Sequence, residues 1–267
     1  MLGRRPDGLH ELDSVVVFTC LGDRLRFEAA ERLELIVGGP DAGGVPGGDG
    51  NLVVKAARAL AAAAGRGAGV RIVLEKHLPA AAGIGGGSAD AAAALRGLSR
   101  LWRLDLPARE LEVLGASLGA DVPACLRSRP LRMRGIGERL EDLRLPGPLH
   151  LLLANPRVPL PTGPVFRGLD ASPAPRRAPP VAAAAVRWMT SGRNDLEAAA
   201  VRLEPAVGEV LDRLRGLPGV RLARMSGSGA TCFGWFGDAA GARRAADILA
   251  DARPGWWIRP VVAGGRP

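Results

Sequence analysis

The sequence predicts an α+β protein, and three observations carry the prediction. Short stretches that are rich in β-branched residues or alternate in polarity recur along the chain, residues 70–74 (VRIVL) being the clearest. Between them lie Ala- and Leu-rich stretches with apolar residues on a helical repeat, such as residues 88–102. The two kinds of stretch do not follow the strict strand–helix–strand alternation of a parallel sheet. The chain has 267 residues, 47% of them hydrophobic. That suffices for a sizeable core in one large or two small domains and excludes disorder as the state of the whole.

In chain order, residues 3–14 (GRRPDGLHELDS) are polar and turn-forming, and residues 15–18, 25–27 and 33–37 read as strands. Residues 38–50 are rich in Gly, Pro and Asp and read as a loop. A helix starts at Asn51, with Leu52, Ala56, Ala59, Leu60 and Ala63 on one face. The strand 70–74, a Gly-rich loop at 80–87, a helix at 88–102 opened by Ser88, and a helix at 111–118 follow. Gly119 to Pro123 breaks that helix, because the residue before a proline is pushed out of the helical region. Residues 131–134 and 149–154 read as strands, 171–180 as a Pro- and Ala-rich linker, and 181–189 and 195–214 as helices. Strands at 221–225 and 231–236 flank a second glycine turn, and a helix at 239–252 and a strand at 256–262 close the chain.

Composition excludes several functions. Cys20, Cys125 and Cys232 form no CxxC pair and no Cys/His metal spacing, so they read as small buried hydrophobes. No apolar run approaches the roughly 20 residues of a membrane helix, and no apolar segment follows Met1 as a secretory signal requires. A cytoplasmic, membrane-free protein is expected. The net charge of +9 suits phosphorylated ligands. The arginines are spread out, however, with no long basic run and no interleaved aromatics, so no nucleic-acid groove is expected.

The strongest chemical signal is the run Pro79-Ala80-Ala81-Ala82-Gly83-Ile84-Gly85-Gly86-Gly87-Ser88-Ala89 directly before a helix. Glycines let the backbone turn its N–H groups toward an anion, and a helix N-terminus adds free N–H groups and about half a positive charge. Ser88 offers a hydroxyl to a phosphate oxygen or a metal. The run is no Walker A loop, since no Lys precedes Ser88, and no dinucleotide fingerprint, since no acidic residue ends a second strand about 20 residues on. A phosphate cradle is the functional reading, a flexible turn the plain one. Asp121, in Gly-Ala-Asp-Val-Pro, reads as a rigidly placed general base or as a solvated helix stop. Ser226-Gly227-Ser228-Gly229 reads as an anion nest or a tight turn, and His10 as a ligand contact or a surface residue. No Ser or Cys nucleophile stands at a triad spacing.

Taken together in order, GRRPDGLHELDS, Asn51-Leu52-Val53, PAAAGIGGGSADAA, GADVP, GIGERL, Pro161-Thr162, Asn194-Asp195-Leu196-Glu197 and SGSGATCFGWF resemble one family over essentially the whole chain. It is the 4-diphosphocytidyl-2-C-methyl-D-erythritol kinases of the GHMP kinase superfamily. The glycine loop and the SGSGA turn match the superfamily; the opening motif and GADVP are specific to the family. The resemblance implies a two-domain α+β sandwich of GHMP type. Residues 1–148 would be a nucleotide-binding domain with a ribosomal-protein-S5-like part, and 149–267 a ferredoxin-like substrate-binding domain. It implies ATP and Mg²⁺ as cofactors, a small CDP-alcohol as substrate, and a monomer or weak homodimer. Residues 79–89 would hold the phosphates with Ser88 near Mg²⁺, and Asp121 would take or orient the hydroxyl proton. Asn51 and Lys76 match positions near the adenosine. His10 would read the cytosine edge and Phe166 stack on the ring beside Thr162, while Gly227, Ser228 and Gly229 would close the far side.

Two departures stand out. Leu9 replaces the family's usual Tyr, so one face of the cytosine sandwich becomes aliphatic; an aromatic pair is worth roughly 0.5–1.5 kcal/mol, and weaker substrate binding is expected. The family's opening strand, of the form A-x-A-K-x-N-x-x-L before the GRRPDG turn, has no counterpart in a chain that starts at Met1-Leu2-Gly3, and neither Lys55 nor Lys76 stands where its Lys would. Losing one preorganised donor costs about 10²–10³-fold in rate, so the chain as written is expected to show little kinase activity, with a start further upstream as the favoured explanation. The alternatives are a non-catalytic or impaired nucleotide-binding homologue, or a GHMP kinase for another small alcohol.

Overall fold

The structure, a computed structural model, describes residues 3–4, 9–169 and 189–264. The expected linker at 171–180 lies outside the described residues, as does the helix expected at 181–189 except for Met189, which is helical. The chain divides into two compact units. A terminal unit comprises Met1–Leu21, Ala81–Ile84 and Arg129–Pro267, and an insert unit comprises Gly22–Ala80 and Gly85–Ser128.

Two strands open the terminal unit, β1 (Gly3–Arg4) and β2 (His10–Val16). Residues 3–14 are therefore not simply a turn. The polar residues of β2 are satisfied across the sheet, where Arg132 holds the Asp13 carboxylate with two hydrogen bonds of 2.7 and 2.6 Å. That long-range pair, not a local apolar pattern, makes the segment a strand.

In the insert unit, β3 (Arg24–Ala29) and β4 (Leu33–Gly38) lead through a loop to helix α1 (Leu52–Ala63) and strand β5 (Val70–Glu75). The sheet order is β3-β5-β4, with β3 antiparallel and β4 parallel to β5. Val70, Ile72 and Leu74 alternate into the core, as a half-buried strand requires. Helix α1 buries Val53, Val54, Ala56, Ala57, Leu60 and Ala61. The expected face is thus rotated: Ala56 and Leu60 lie inside, but Ala63 is exposed. Helix α2 (Gly86–Leu101) packs close to β3, where the Phe27 ring fills the place of a side chain at Gly97. Helix α3 (Ala108–Leu118) is followed by α4 (Val122–Arg127), which the sequence reading treated only as a break. Pro123 lies in the first turn of α4, where a missing N–H costs nothing, so the proline starts a helix rather than ending one.

The rest of the terminal unit runs β6 (Leu131–Gly135), β7 (Arg139–Asp142), β8 (Leu149–Asn155), α5 (Thr162–Arg167), α6 (Glu197–Leu203), α7 (Pro205–Arg215), β9 (Leu222–Met225), β10 (Cys232–Phe236), α8 (Ala239–Ala252) and β11 (Trp257–Ala263). One sheet is β1-β2-β6-β7. The other is antiparallel in the order β11-β8-β10-β9, with α7 and α8 on its apolar side. Strands and helices follow as β8–α7–β9–β10–α8–β11, so the spatial order is fourth, first, third, second: the split βαβ of the expected ferredoxin-like part. Its core joins Leu152, Leu211, Leu214, Met225, Phe236 and Leu249. The helix expected over 195–214 is two helices, because Pro205 opens α7 and Glu204 caps it through Ala206 N at 3.2 Å. Cys125 and Cys232 are buried as expected, whereas Cys20 is exposed. Among the described residues no helix is long and apolar enough to cross a membrane.

Candidate active site

Helix α2 begins at Gly86, not at Ser88. Gly85 occupies the cap position in the left-handed region (φ 69°), with open space where a side chain would stand. The first intrahelical bond is Ala89 N to Gly85 O, at 2.9 Å. The N–H groups of Gly86, Gly87 and Ser88 precede it and have no acceptor within the helix, and no side chain caps them. Ser88 thus sits in the first turn of α2. Amides left uncapped at a helix start suit an anion.

Beneath that turn lies a buried ionic cluster. The Lys76 ammonium, 4% exposed, pairs with Asp23, whose side chain is fully buried, and with Asp90 at 2.8 Å. The second oxygen of Asp23 accepts the backbone N–H groups of His77 (2.6 Å) and Leu78 (2.9 Å). Burial pushes the Asp90 carboxyl up to about 6 against the pull of Lys76. For Lys76 burial works against the charge, yet the two carboxylates prevail and its pKa is raised. The ammonium is thus spent on carboxylates. Asn51 is likewise committed: its Oδ1 caps α1 by accepting Val53 N (2.9 Å), and its Nδ2 donates to Pro46 O (2.8 Å).

Asp121 stands at the cap position of α4. The helix is fixed from two sides. Arg96 of α2 donates to the carbonyls of Cys125 and Leu126 (2.9 and 3.4 Å), and Arg127 holds Glu112 of α3 through two 2.9 Å bonds. Asp121 is at once exposed and crowded. Solvent reaches it, yet the surrounding protein desolvates the carboxyl enough to hold its pKa above the ordinary carboxylate value. Burial, helped by the Asp121 charge, pushes the Cys125 thiol up to about 12, which removes it as a nucleophile.

The terminal unit carries the second set. A Cβ at Gly83 would strike Gly229 and come within 2.7 Å of Ser226 O, so the two glycine segments touch backbone to backbone. Ser226 Oγ donates to Gly83 O (3.0 Å) and Thr231 N to Ala82 O (3.1 Å). Asn194 clamps the SGSG turn through Met225 O (2.9 Å) and Gly227 O (2.7 Å). Thr162 and Ser228 share a hydrogen bond of 2.9 Å. The rings of His10 and Phe166 lie 5.4 Å apart at 51°, and Leu9 is 48% exposed.

The structure therefore brings together His10 with Phe166, Thr162 with Ser228, Gly83 with Gly227 and Gly229, and Ala82 with Thr231. It places Gly85–Ser88 and Asp121 on the insert unit. Sequence reasoning missed Asp23, Asp90 and Asn194, and named Ser226 only as part of the second glycine turn. Asp90 and Asn194 stood inside quoted motifs, but only their partners reveal their work. Among the described residues no group of three or more His, Cys, Asp or Glu side chains is placed to hold a metal ion.

The chain matches the GHMP kinases N terminal domain over residues 51–129 and the GHMP kinases C terminal domain over residues 182–254. It is 52% identical over 269 residues to a protein of Cereibacter sphaeroides named 4-diphosphocytidyl-2-C-methyl-D-erythritol kinase, covering 98% of this chain and 94% of that one. A protein of the same name from Paramagnetospirillum magneticum is 51% identical, covering 98% and 93%. A crystal structure of 4-(cytidine 5'-diphospho)-2C-methyl-D-erythritol kinase superposes with a TM-score of 0.80 at 38% identity, covering 99% and 94%.

Proposed function

Because the chain belongs to the GHMP kinases, within the family of 4-diphosphocytidyl-2-C-methyl-D-erythritol kinases, we propose that it transfers the γ-phosphoryl group of ATP to the 2-hydroxyl of 4-diphosphocytidyl-2-C-methyl-D-erythritol, in the non-mevalonate route to isoprenoid precursors. The observation that carries this reading is identity of 52% maintained over 98% of the chain. The geometry supports it. Phosphoryl transfer needs positioning and charge neutralisation more than covalent help from the protein.

The amides of Gly86, Gly87 and Ser88 take the nucleotide phosphates. Ser88 is the hydroxyl that suits Mg²⁺, which keeps most of its shell as water and phosphate oxygen and asks for few protein ligands. When bound, the ion offsets the charge of the phosphates. Asp121 accepts the proton of the 2-hydroxyl as its oxygen bonds to the γ-phosphorus, the bond to the β-bridging oxygen breaks, and ADP departs. A raised carboxyl pKa suits that task, since a base works best with its pKa near the working pH. Asn51 and Lys76 serve the adenosine side by fixing backbone, their side chains being committed. His10 reads the cytosine edge and Phe166 stacks on the ring, with Leu9 as an aliphatic neighbour. Thr162, Gly227, Ser228 and Gly229 bound the alcohol. The nucleotide side thus falls before residue 148 and most of the acceptor side after it, with Leu9 and His10 as exceptions.

ADP release from ATP and Mg²⁺ tests the reading, with 4-diphosphocytidyl-2-C-methyl-D-erythritol, mevalonate and homoserine offered as separate acceptors. Turnover with the first alone is expected, at the low rate anticipated above for the chain as written. Turnover with mevalonate or homoserine alone overturns the acceptor, and ATP binding without turnover overturns the kinase.

A further inference from the structure

The cluster of Asp23, Lys76 and Asp90 joins three parts of the insert unit that are remote in sequence. Asp23 precedes β3, Lys76 follows β5, and Asp90 lies in the second turn of α2. The Lys76 backbone is itself locked, its N–H donating to Gly38 O (2.7 Å) and its carbonyl accepting Asp41 N (3.1 Å). Asp23 then holds the next two amides, His77 and Leu78. The ammonium carries that rigid corner across to Asp90. The Asp23 carboxylate also lies under the phosphate turn: a Cβ at Gly86 would stand 3.8 Å from its Oδ2. An unneutralised carboxylate there would repel a phosphate. Lys76 both cancels that charge and fixes the helix that carries the amides.

We propose that Asp90, acting through Lys76 and Asp23, is a positioning residue for the first turn of α2, setting the place of the Gly86, Gly87 and Ser88 amides relative to the end of β5. The inference rests on the reading of that turn as the phosphate site. It follows from the chemistry of the cluster that Asp90 is the informative residue. Removing Lys76 leaves two buried carboxylates without a counter-charge, a change that threatens folding. Removing Asp90 leaves Lys76 and Asp23 as a balanced pair, so the protein keeps its fold while α2 loses its tie.

The test compares Asp90→Ala with Asp90→Asn, whose amide oxygen still accepts from Lys76. Three readouts serve: KM and kcat for ATP, ADP affinity by calorimetry, and hydrogen exchange at residues 89–92. For Asp90→Ala, KM for ATP is expected to rise about tenfold with kcat within about threefold, since misplaced binding groups act first on binding. ADP affinity falls by a similar factor and exchange at residues 89–92 quickens, while Asp90→Asn stays near wild type in all three. Wild-type values for Asp90→Ala overturn the proposal. So does an equal fall in kcat and ADP affinity, with an equal rise in KM, in both variants, which marks a merely structural residue. Should the wild-type chain fail to turn over at all, the kinase reading falls, and ADP affinity with exchange still decides the role of Asp90.

Discussion

Asp121 combines exposure to solvent with a carboxyl whose pKa is raised by burial among its neighbours. Both properties have consequences that one substitution separates. A folded-state pKa above the unfolded value means that the folded protein binds the proton more readily, so ionised Asp121 costs stability above its folded pKa and that cost is relieved as pH falls through it. Asp121→Asn, of equal size and no charge, is therefore expected to melt at the same or a higher temperature at neutral pH. Its kcat is expected to fall by about 10²–10⁴-fold, the usual worth of a positioned base. In the wild type the acid limb of kcat lies above the ordinary carboxylate range, because the base must be ionised to work. A variant that loses stability and activity together contradicts this account. Phe166→Ala tests the other set: KM for the cytidine substrate is expected to rise up to roughly tenfold, with KM for ATP unchanged, an aromatic contact being worth about 0.5–1.5 kcal/mol. Both residues are proposed from the sequence through the family resemblance, Asp121 inside the GADVP motif and Phe166 just after the Pro161-Thr162 pair. Asp23 is not, because its partner Lys76 lies 53 positions away and nothing local marks either as half of a buried pair.

At the scale of elements, glycines and caps decide where helices begin, and the two phosphate-side helices differ. Helix α1 has its cap filled by Asn51, while no side chain caps the start of α2. Asn51→Ala removes the bond to Val53 N and leaves Pro46 O without its donor, so a loss of about 1 kcal/mol is expected in denaturant unfolding, the usual worth of an N-cap. No change in stability would show that the cap is dispensable. The chain pattern gave the extent of β5 and α8 almost to the residue, because alternation and helical periodicity are local. It failed at β2, α4 and the break between α6 and α7. There the deciding features are a cross-strand ion pair, a proline in a first turn and a proline that opens a new helix, all of which look like breaks or turns when read one residue at a time.

For the whole molecule the deciding quantity is charge. The excess of 36 Lys and Arg over 27 Asp and Glu leaves +9, and many of the acids are already tied to arginines: Asp13 to Arg132, Glu34 to Arg71, Glu112 to Arg127, Glu197 to Arg215. The unbalanced charge is thus positive and spread over the surface. Both proposed substrates are polyanions, so this field raises their local concentration without touching the chemical step. Salt screens it, the Debye length falling from about 10 Å at 0.1 M to about 3 Å at 1 M. Raising NaCl from about 50 mM to about 500 mM is therefore expected to lower kcat/KM several-fold for both substrates while kcat holds within about twofold. The same field acts on any polyanion, but a nucleic acid needs an aligned row of cations, and here the arginines are scattered and extensively paired. Duplex DNA is accordingly expected to show no retention at physiological salt in a filter-binding assay. A salt-independent kcat/KM would mean that the positive excess is a matter of composition alone, and the local amides of α2 would then have to account for nucleotide capture unaided.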